Sequence, residues 1–314
     1  MSGLSAETRH LLARAGLAPR KRLGQHFLVD RAVVARMIDL AEIGPREAVL
    51  EIGPGLGALT TELAARAARL YVIEYDHGLC QVLQRKFADA PHVRVIAGDA
   101  LRIDLRGAIP EGTVKVVASL PYNVAVPILF RLLEERLIFS DLTVMLQREI
   151  AERVIAAPGT PAYGAPSLLL QLHAEVLGRF RVPPSAFYPR PRVTSEVLRL
   201  RLTPEPRVPL ANARVFRAVV RAAFNQRRKM LRNAVRALPP RLTLPPPVWE
   251  TVFTAAGVDA RARGETLDVR AFATLADAAA AALAARGEVR SGDAASAGRH
   301  VPARGRGRVR HRPP

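Results

Sequence analysis

Cysteine is almost absent from this chain of 314 residues, which contains only Cys80. A single cysteine excludes an internal disulfide and a zinc site built from four cysteines, and it fits a reducing, cytoplasmic setting. Long apolar runs are absent too: no stretch of about 18 apolar residues occurs, so a membrane-spanning helix is not expected. The N-terminus has no charged start followed by an apolar block and therefore does not resemble a signal peptide.

Aromatic residues make up only 5% of the chain. This scarcity argues against a long platform on which single-stranded nucleic acid could stack. The seven histidines show no spacing typical of metal ligands, so we predict no metal site. Apolar residues, in contrast, make up 49% of the chain, which is enough for a sizeable core, and the length predicts about two domains.

Acidic residues are scarce in one part of the chain only. Residues 1–180 contain 21 basic and 19 acidic side chains, whereas residues 181–314 contain 26 basic and 9 acidic ones. The net charge of +19 therefore lies almost entirely in the second part. Only four of the basic residues are lysines, which indicates a compositional preference for arginine but does not explain the missing acids. The uneven charge predicts catalysis in the first part and binding of a polyanion, such as a nucleic acid, in the second.

Short apolar strands alternate with helical patterns in the first part of the chain. Strands are predicted at Ala48–Ile52, Leu70–Glu74, Val93–Ala97, Val114–Ala118 and Leu142–Gln147. Helices are predicted between them at Thr60–Ala68, Leu79–Phe87 and Val126–Glu135. This alternation predicts an α/β fold with a mostly parallel sheet that helices cover on both faces. Two further segments, Leu168–Phe180 and Val193–Leu202, are predicted to form an antiparallel pair at the edge of the sheet.

A proline-rich segment at Pro204–Pro209 divides the chain, because three prolines in six residues cannot continue a helix. The patterns after it predict helices at Arg214–Phe224, Arg227–Leu238, Val248–Ala256 and Arg270–Ala285. We therefore predict a first domain over residues 1–203 and a small, all-helical, basic domain over residues 204–285. Residues 286–314 have too few large apolar side chains to offset the entropy of ordering, and we predict a disordered basic tail there.

A glycine-rich loop, Glu51-Ile-Gly53-Pro-Gly55-Leu-Gly57, follows the first predicted strand. Glycine has no β-carbon, so the backbone can turn tightly and a ligand can approach it closely. Glu74 ends the next predicted strand, where an acid commonly binds the hydroxyl pair of a ribose. Together these features predict a nucleotide-like cofactor at the carboxyl ends of parallel strands, without saying which one.

Two further motifs follow the third and fourth predicted strands. Asp99, in Gly98-Asp99-Ala100, offers a carboxylate that could accept a hydrogen bond from an adenine amino group. The run Ser119-Leu120-Pro121-Tyr122 resembles the signature of amino-methyltransferases that use S-adenosylmethionine and act on nucleobases. Their order along the chain, behind the glycine loop, strengthens that interpretation.

The chemistry of such an enzyme accounts for these residue types. An exocyclic adenine amine is a poor nucleophile, because its lone pair is delocalised into the ring. The hydroxyl of Ser119 and the carbonyl of Leu120 or Pro121 could accept its N–H groups and favour the nucleophilic form, which is positioning plus electrostatic stabilisation. Tyr122 would stack on the target base, which must leave its helix to be reached.

Three longer motifs complete the pattern: Lys21-Arg22-Leu23-Gly24-Gln25-His26-Phe27-Leu28-Val29-Asp30, Phe187-Tyr188-Pro189-Arg190-Pro191-Arg192-Val193-Thr194-Ser195 and Ala223-Phe224-Asn225-Gln226-Arg227-Arg228-Lys229-Met230-Leu231-Arg232-Asn233. With them, the chain resembles the small-subunit ribosomal RNA adenine dimethyltransferases over roughly residues 15–285. The resemblance implies a Rossmann-like domain that uses S-adenosylmethionine to make N6,N6-dimethyladenine at two adjacent adenines near the 3′ end of small-subunit rRNA during ribosome biogenesis. The implied partner is the small ribosomal subunit, and we expect a monomer.

The resemblance also implies roles for single residues. A segment at about residues 15–30 would cover the cofactor, and the implied cofactor-binding residues are His26, Leu28, Gly53, Gly55, Glu74, Asp99 and Ser119. Ser119 stands where the family usually has asparagine, whose longer side chain carries both an acceptor and a donor.

A basic cluster in the second part is predicted to hold the rRNA backbone. It comprises Arg221, Arg227, Arg228, Lys229 and Arg232. On a continuous helix, Arg221, Arg228 and Arg232 would share one face. With so few aromatic residues, recognition of the shape and phosphates of folded RNA fits better than stacking on bases.

Three alternatives stay open at this point. The chain could be an assembly factor that binds the small subunit with weak or no methyl transfer. It could belong to the related large-subunit rRNA adenine-N6 methyltransferases, which share the first domain. An oxidoreductase linked to NAD(P) would explain the glycines and Glu74, but neither Ser119-Leu120-Pro121-Tyr122 nor the basic second part.

Overall fold

A computed structural model describes residues 3–287 of the chain, which form nine strands and twelve α-helices. The strands are β1 (Phe27–Leu28), β2 (Ala48–Ile52), β3 (Arg69–Glu74), β4 (Val93–Ala97), β5 (Val114–Ser119), β6 (Phe139–Gln147), β7 (Ala174–Val182), β8 (Phe187–Tyr188) and β9 (Ser195–Leu202). The helices are α1 (Gly3–Arg14), α2 (Arg31–Ala41), α3 (Ala58–Ala64), α4 (His77–Lys86), α5 (Leu105–Ala108), α6 (Ala125–Glu134), α7 (Arg148–Val154), α8 (Ala165–His173), α9 (Ala213–Asn225), α10 (Leu231–Ala234), α11 (Pro246–Ala256) and α12 (Val269–Ala285). Within this described part, no helix is both long and apolar enough to span a bilayer.

Seven strands form one twisted sheet in the order β4-β3-β2-β5-β6-β9-β7. The strands β2 to β6 pair in parallel, whereas β9 runs antiparallel to both β6 and β7. Every residue of β2 is buried, as expected for a central strand with helices on both faces. The strand order reverses between β2 and β5, and ligands of open α/β sheets bind in the crevice that such a reversal creates. The predicted α/β fold with a mostly parallel sheet is confirmed.

The predicted antiparallel pair at the sheet edge is half right. β7 pairs with β9 in the expected sense, but the segment predicted as the strand Leu168–Phe180 begins as helix α8 and becomes β7 only at Ala174. Gly164 and Pro166 start the helix, since proline is well tolerated in a first helical turn. The run of leucines that follows has no periodicity, so its pattern could not distinguish a buried helix from a strand.

The helix predicted over Arg227–Leu238 is also wrong. α9 ends at Asn225, because Gln226 leaves the helical region with φ −124° and ψ 51°. A turn follows, Met230 bridges Arg263 in an antiparallel sense, and only then do α10 and a short 3₁₀ segment begin. Arg227, Arg228 and Lys229 therefore lie in the turn, and the shared helix face with Arg221 and Arg232 does not exist.

A separate core holds the helical part together. It is built around large side chains of α9, α11 and α12, such as Phe216, Trp249 and Phe272. Tyr163 and Leu168, which precede the proline-rich linker, belong to the same core, and the Tyr163 hydroxyl donates to the Leu267 carbonyl at 2.9 Å. The helical part is thus completed by residues from before the linker. The predicted tail over 286–314 falls, from residue 288 onward, outside the described residues.

Candidate active site

A cavity of about 290 Å³ opens at the carboxyl ends of β2, β3, β4 and β5. It is lined by nearly all of the predicted site residues: His26, Gly53, Gly55, Glu74, Asp99, Ser119, Leu120, Pro121 and Tyr122. The topology therefore brings together residues that are up to about a hundred positions apart in the sequence. Leu28 lies outside this cavity; it packs in the core and lines a neighbouring cavity of about 580 Å³.

The backbone of the glycine loop requires glycine at Gly53 and Gly55, which border the cavity. Gly53 and Gly55 have φ values of +70° and +61°, which side chains rarely adopt. A β-carbon would lie 3.2 Å from Cδ of Pro121 at Gly53 and 2.8 Å from Cδ1 of Phe27 at Gly55. The loop thus packs closely against Pro121 and Phe27, which also line the cavity. A side chain at Gly53 or Gly55 would narrow the cavity.

Glu74 joins the end of β3 to the glycine loop. Its Oε1 accepts a hydrogen bond from the Asp76 amide at 2.8 Å, and its Oε2 accepts one from the Gly55 amide at 3.3 Å. Burial raises the pKa of Glu74 to about 7, although these backbone hydrogen bonds oppose the shift. A carboxyl group poised near neutral pH in a cavity is a typical ligand-binding group.

Glu51 is a buried acid for which the sequence suggested no role. Its Oε2 has no hydrogen-bond partner among the described residues, and burial raises its pKa to about 8. Glu51 lines the 580 Å³ cavity together with Lys86 and Glu7, and that cavity shares Gly53 with the first one. The signal available from the sequence was an acid inside an otherwise apolar strand, where an unpaired polar group is costly.

Asp99 caps the turn after β4 and also borders the cavity. Its Oδ1 accepts from the Leu101 amide at 2.9 Å, and its Oδ2 lies 3.6 Å from Nε of Arg102. About a third of its side chain is exposed. The turn-capping contact uses one oxygen, and the group still contributes to the cavity wall.

The run from Ser119 to Tyr122 forms the opposite wall. The Leu120 amide donates to the Met145 carbonyl of β6 at 3.2 Å, which fixes the backbone at the end of β5. The Pro121 carbonyl is engaged by the Val124 amide at 3.1 Å. Of the two carbonyls considered as acceptors for the amine, that of Leu120 is therefore the better candidate.

Tyr122 is held from two sides. Its hydroxyl lies 2.5 Å from Oγ of Ser195, and its ring centroid lies 5.5 Å from that of His26. Burial raises the pKa of Tyr122, and the Ser195 hydrogen bond acts in the opposite direction. Nδ1 of His26 is in turn 2.6 Å from the Pro189 carbonyl. The ring predicted to stack on the base is thus pre-positioned.

Ser195, which contacts Tyr122, and Pro189, which contacts His26, both belong to the segment from Phe187 to Ser195. No individual role was predicted for the residues of this segment. Phe187 lines the cavity. In addition, β8 pairs with β1, which ties the covering N-terminal segment to the site, with Phe27 opposite Tyr188 and Leu28 opposite Phe187. In the sequence, this segment could be recognised only by its motif.

Part of the N-terminal segment, residues 23–27, lines the cavity. Gln25 and His26 line the cavity, and Arg20 forms a salt bridge to Asp76 with 3.1 Å between Nη1 and Oδ2. Helix α1, whose Leu12 packs with Phe27 beside the glycine loop, was not predicted from the sequence.

The basic residues predicted to bind RNA do not form one group. Arg227 donates from Nη2 to the Pro161 carbonyl at 3.0 Å and pairs with Glu265 at 3.4 Å, so it holds the turn in place. Arg228 and Lys229 are exposed in that turn, and Arg232 is exposed on α10. Arg221 is exposed on α9.

Comparison with known proteins identifies the family. The family model described as "Ribosomal RNA adenine dimethylase" matches residues 16–274. The chain belongs to this family. Two of its relatives, each named "Ribosomal RNA small subunit methyltransferase A", come from Pelotomaculum thermopropionicum and Geobacter metallireducens. The first is 44% identical over 87% of this chain and 95% of its own length, and the second is 43% identical over 84% and 96%.

Solved structures agree with this assignment. A dimethyladenosine transferase from Plasmodium falciparum has a TM-score of 0.70 at 23% identity, covering 83% of this chain and 98% of its own, which supports the fold. The 23S rRNA methyltransferase ErmE has a TM-score of 0.60 at 26% identity, covering 80% and 98%. The predictions of a Rossmann-like methyltransferase fold and of an rRNA-methylating enzyme family are confirmed.

Proposed function

We propose that this family member uses S-adenosylmethionine to dimethylate N6 of two adjacent adenines near the 3′ end of small-subunit rRNA. The observation that carries the proposal is one cavity, walled on one side by the glycine loop, Glu74 and Asp99 and on the other by Ser119 to Tyr122. The relatives' name, with its reference to the small subunit, favours that substrate over large-subunit rRNA.

The residues present fit the cofactor. Gly53, Glu74 and Asp99 line the same cavity; Glu74 offers acceptors for ribose hydroxyls, and Asp99 offers one for an adenine amine. Glu51, with its unpartnered oxygen, lies where a cationic amino group would satisfy it. S-adenosylmethionine, when bound, supplies an electrophilic methyl group.

The chain's own groups then position the target amine. The Ser119 hydroxyl and the Leu120 carbonyl accept its N–H groups, which favours a localised lone pair without a proton-accepting base. Tyr122 and Phe187 both line the cavity and stack on the displaced adenine. Catalysis then follows from orientation and from acceptors fixed before the base arrives.

We further propose a division of labour between residues 1–203 and residues 204–285. The first part holds the cofactor and the target base, and the second, basic part holds the rRNA backbone through phosphate contacts. The proposed partner is the small ribosomal subunit, and the proposed location is therefore the cytoplasm. The enzyme is proposed to act as a monomer.

The test is methyl transfer from labelled S-adenosylmethionine to unmethylated small subunits, with digestion and mass analysis of the adenosines. Wild type and Ser119→Asn are compared, because asparagine restores the longer acceptor usual in the family. We expect dimethyladenosine at two adjacent positions with wild type. Subunit binding by wild type without methyl transfer, and activity only in Ser119→Asn, would instead favour an assembly factor on a methyltransferase fold.

A further inference from the structure

A groove on the helical part is lined by three arginines of α9. Arg214, Arg217 and Arg221 are exposed and recur at helical spacing, so they lie on one face of the helix. The other face is buried in the helical core through residues such as Phe216 and Val220. The packing of the core therefore fixes the arginine face toward solvent.

The groove has the size and the lining of an anion site. Its volume is about 590 Å³, and the segment at residues 237–242 forms its far side. Asn225 is its polar uncharged member, and no carboxylate of the described residues lines it. None of the three arginines forms an ion pair with another residue of the described part. Their charge is therefore available to a ligand.

Arg217 of the groove also acts electrostatically on two groups that do not line it. Burial, and then Arg136 and Arg217, lower the pKa of His173 to about 4, so that this ring is neutral at physiological pH. Arg217 also lowers the pKa of Arg136, after burial, while Glu205 acts in the opposite direction. Like charges repel one another, and a bound anion relieves that repulsion.

We propose that this α9 groove binds phosphate groups of the rRNA, as a contact separate from the turn at residues 226–229. The proposal rests on the proposed function for its choice of polyanion. Arginine forms paired hydrogen bonds to phosphate oxygens, and seven helical positions span about 10 Å, enough for more than one phosphate. No aromatic side chain of residues 3–287 lines the groove, so it reads backbone and shape, not sequence.

The structure also explains why the turn is the weaker candidate for the main contact. Arg227 is already occupied by Pro161 and Glu265, which leaves Arg228 and Lys229. The α9 groove offers three guanidinium groups on one helix face, each without an ion pair to the described residues.

The test compares two triple variants with equal loss of charge. One replaces Arg214, Arg217 and Arg221 with glutamine. The control replaces Arg46, Arg69 and Arg94, which are exposed in the first part of the chain. Binding to purified small subunits is measured at several salt concentrations, together with the Tm and the Kd for S-adenosylmethionine. Arg217→Gln alone serves as a milder variant in case the triple variant folds poorly.

We expect the α9 variant to bind subunits at least about tenfold more weakly at physiological salt, and its salt slope to fall by about two. The control should lose less than about threefold, and both variants should keep the wild-type Tm and cofactor Kd. Equal losses in the two variants would overturn the proposal, as would unchanged subunit binding by the α9 variant. Methyl transfer by wild type is measured separately, so failure of the proposed function is distinguishable from failure of the groove.

Discussion

Glu51 and Glu74 are carboxyl groups buried beside the glycine loop, and burial raises the pKa of each, to about 8 and about 7. At neutral pH Glu51 therefore favours the protonated form in the folded, ligand-free protein, whereas Glu74 is poised between its two forms. Burying a carboxyl group costs free energy of folding, and a buried acid with a shifted pKa at a cavity is a candidate functional group. The two acids also make the stability of the protein depend on pH.

We predict that Glu51→Gln removes a pH-dependent part of this stability. The unfolded chain releases the Glu51 proton near the ordinary glutamate pKa of 4.5, whereas the folded protein keeps it up to about pH 8. The contribution is therefore full below about pH 4.5 and is lost as pH rises through about 8, at up to about 1.4 kcal/mol per unit. Urea unfolding between pH 5 and 8.5 checks this.

Glutamine mimics the neutral acid. The free energy of unfolding of the variant should therefore rise relative to that of wild type by a few kcal/mol as the pH rises. Glu74 acts in the same direction in both proteins, but its charge also raises the pKa of Glu51, so the two acids do not titrate independently. Stability curves of wild type and variant that stay parallel over this range would show that Glu51 is not held protonated.

At the scale of elements, the turn from β2 into α3 decides whether the cavity forms. We predict that Gly53→Ala destabilises the protein by about 1–2 kcal/mol, because alanine is strained at a φ of +70°. Its β-carbon would also press on Pro121, 3.2 Å away, and so disturb the wall that carries the acceptors. The Kd for S-adenosylmethionine should rise about tenfold or more.

Gly112→Ala is the matched control for that variant. Gly112 has no positive φ, and a β-carbon there meets nothing within 4 Å. It should stay within about 0.5 kcal/mol of wild type, with unchanged cofactor affinity. Thermal unfolding and calorimetric titration of both variants provide the comparison, and equal behaviour of the two would contradict the role assigned to the loop.

The sequence predicts elements well where one local signal is sufficient. β2 and the loop after it follow from an apolar run and spaced glycines, and the fixed geometry of a parallel sheet then brings Asp99 and Ser119 to the same edge. The end of α9 at Asn225 depends instead on the Gln226 backbone and on the Met230–Arg263 bridge. Such tertiary contacts have no local signature, which is why the pattern predicts a helix that the structure lacks.

Contacts between side chains that are distant in the sequence cannot be predicted from local patterns either. The contact of Tyr122 with Ser195 and that of His26 with Pro189 each join segments more than 70 positions apart. The residue types at each end are visible in the sequence, but their pairing depends on how β9 and β8 are placed. Most residues that line the cavity could therefore be predicted from the sequence, whereas the contacts that orient them could not.

At the scale of the whole molecule, charge and packing divide the chain at different places. Acidic residues become scarce after about residue 180, whereas the helical core already includes Tyr163 and Leu168. The basic part is thus built partly on residues of the near-neutral part.

Residues 288–314 add seven arginines against two acids, which is a quarter or so of the net charge. We predict that truncation after Gly287 weakens binding to small subunits mainly at low salt and makes its salt dependence less steep, because the lost contacts are unspecific phosphate contacts. The rate of methyl transfer at saturating subunit concentration should stay within about twofold of wild type, because the described residues contain every group assigned to the chemistry. Binding over a salt series and single-turnover methyl transfer measure the two effects. If the truncated enzyme binds small subunits like wild type at all salt concentrations, residues 288–314 do not contribute to RNA binding. If instead the rate of methyl transfer at saturating subunit concentration falls strongly, these residues take part in presenting the adenines.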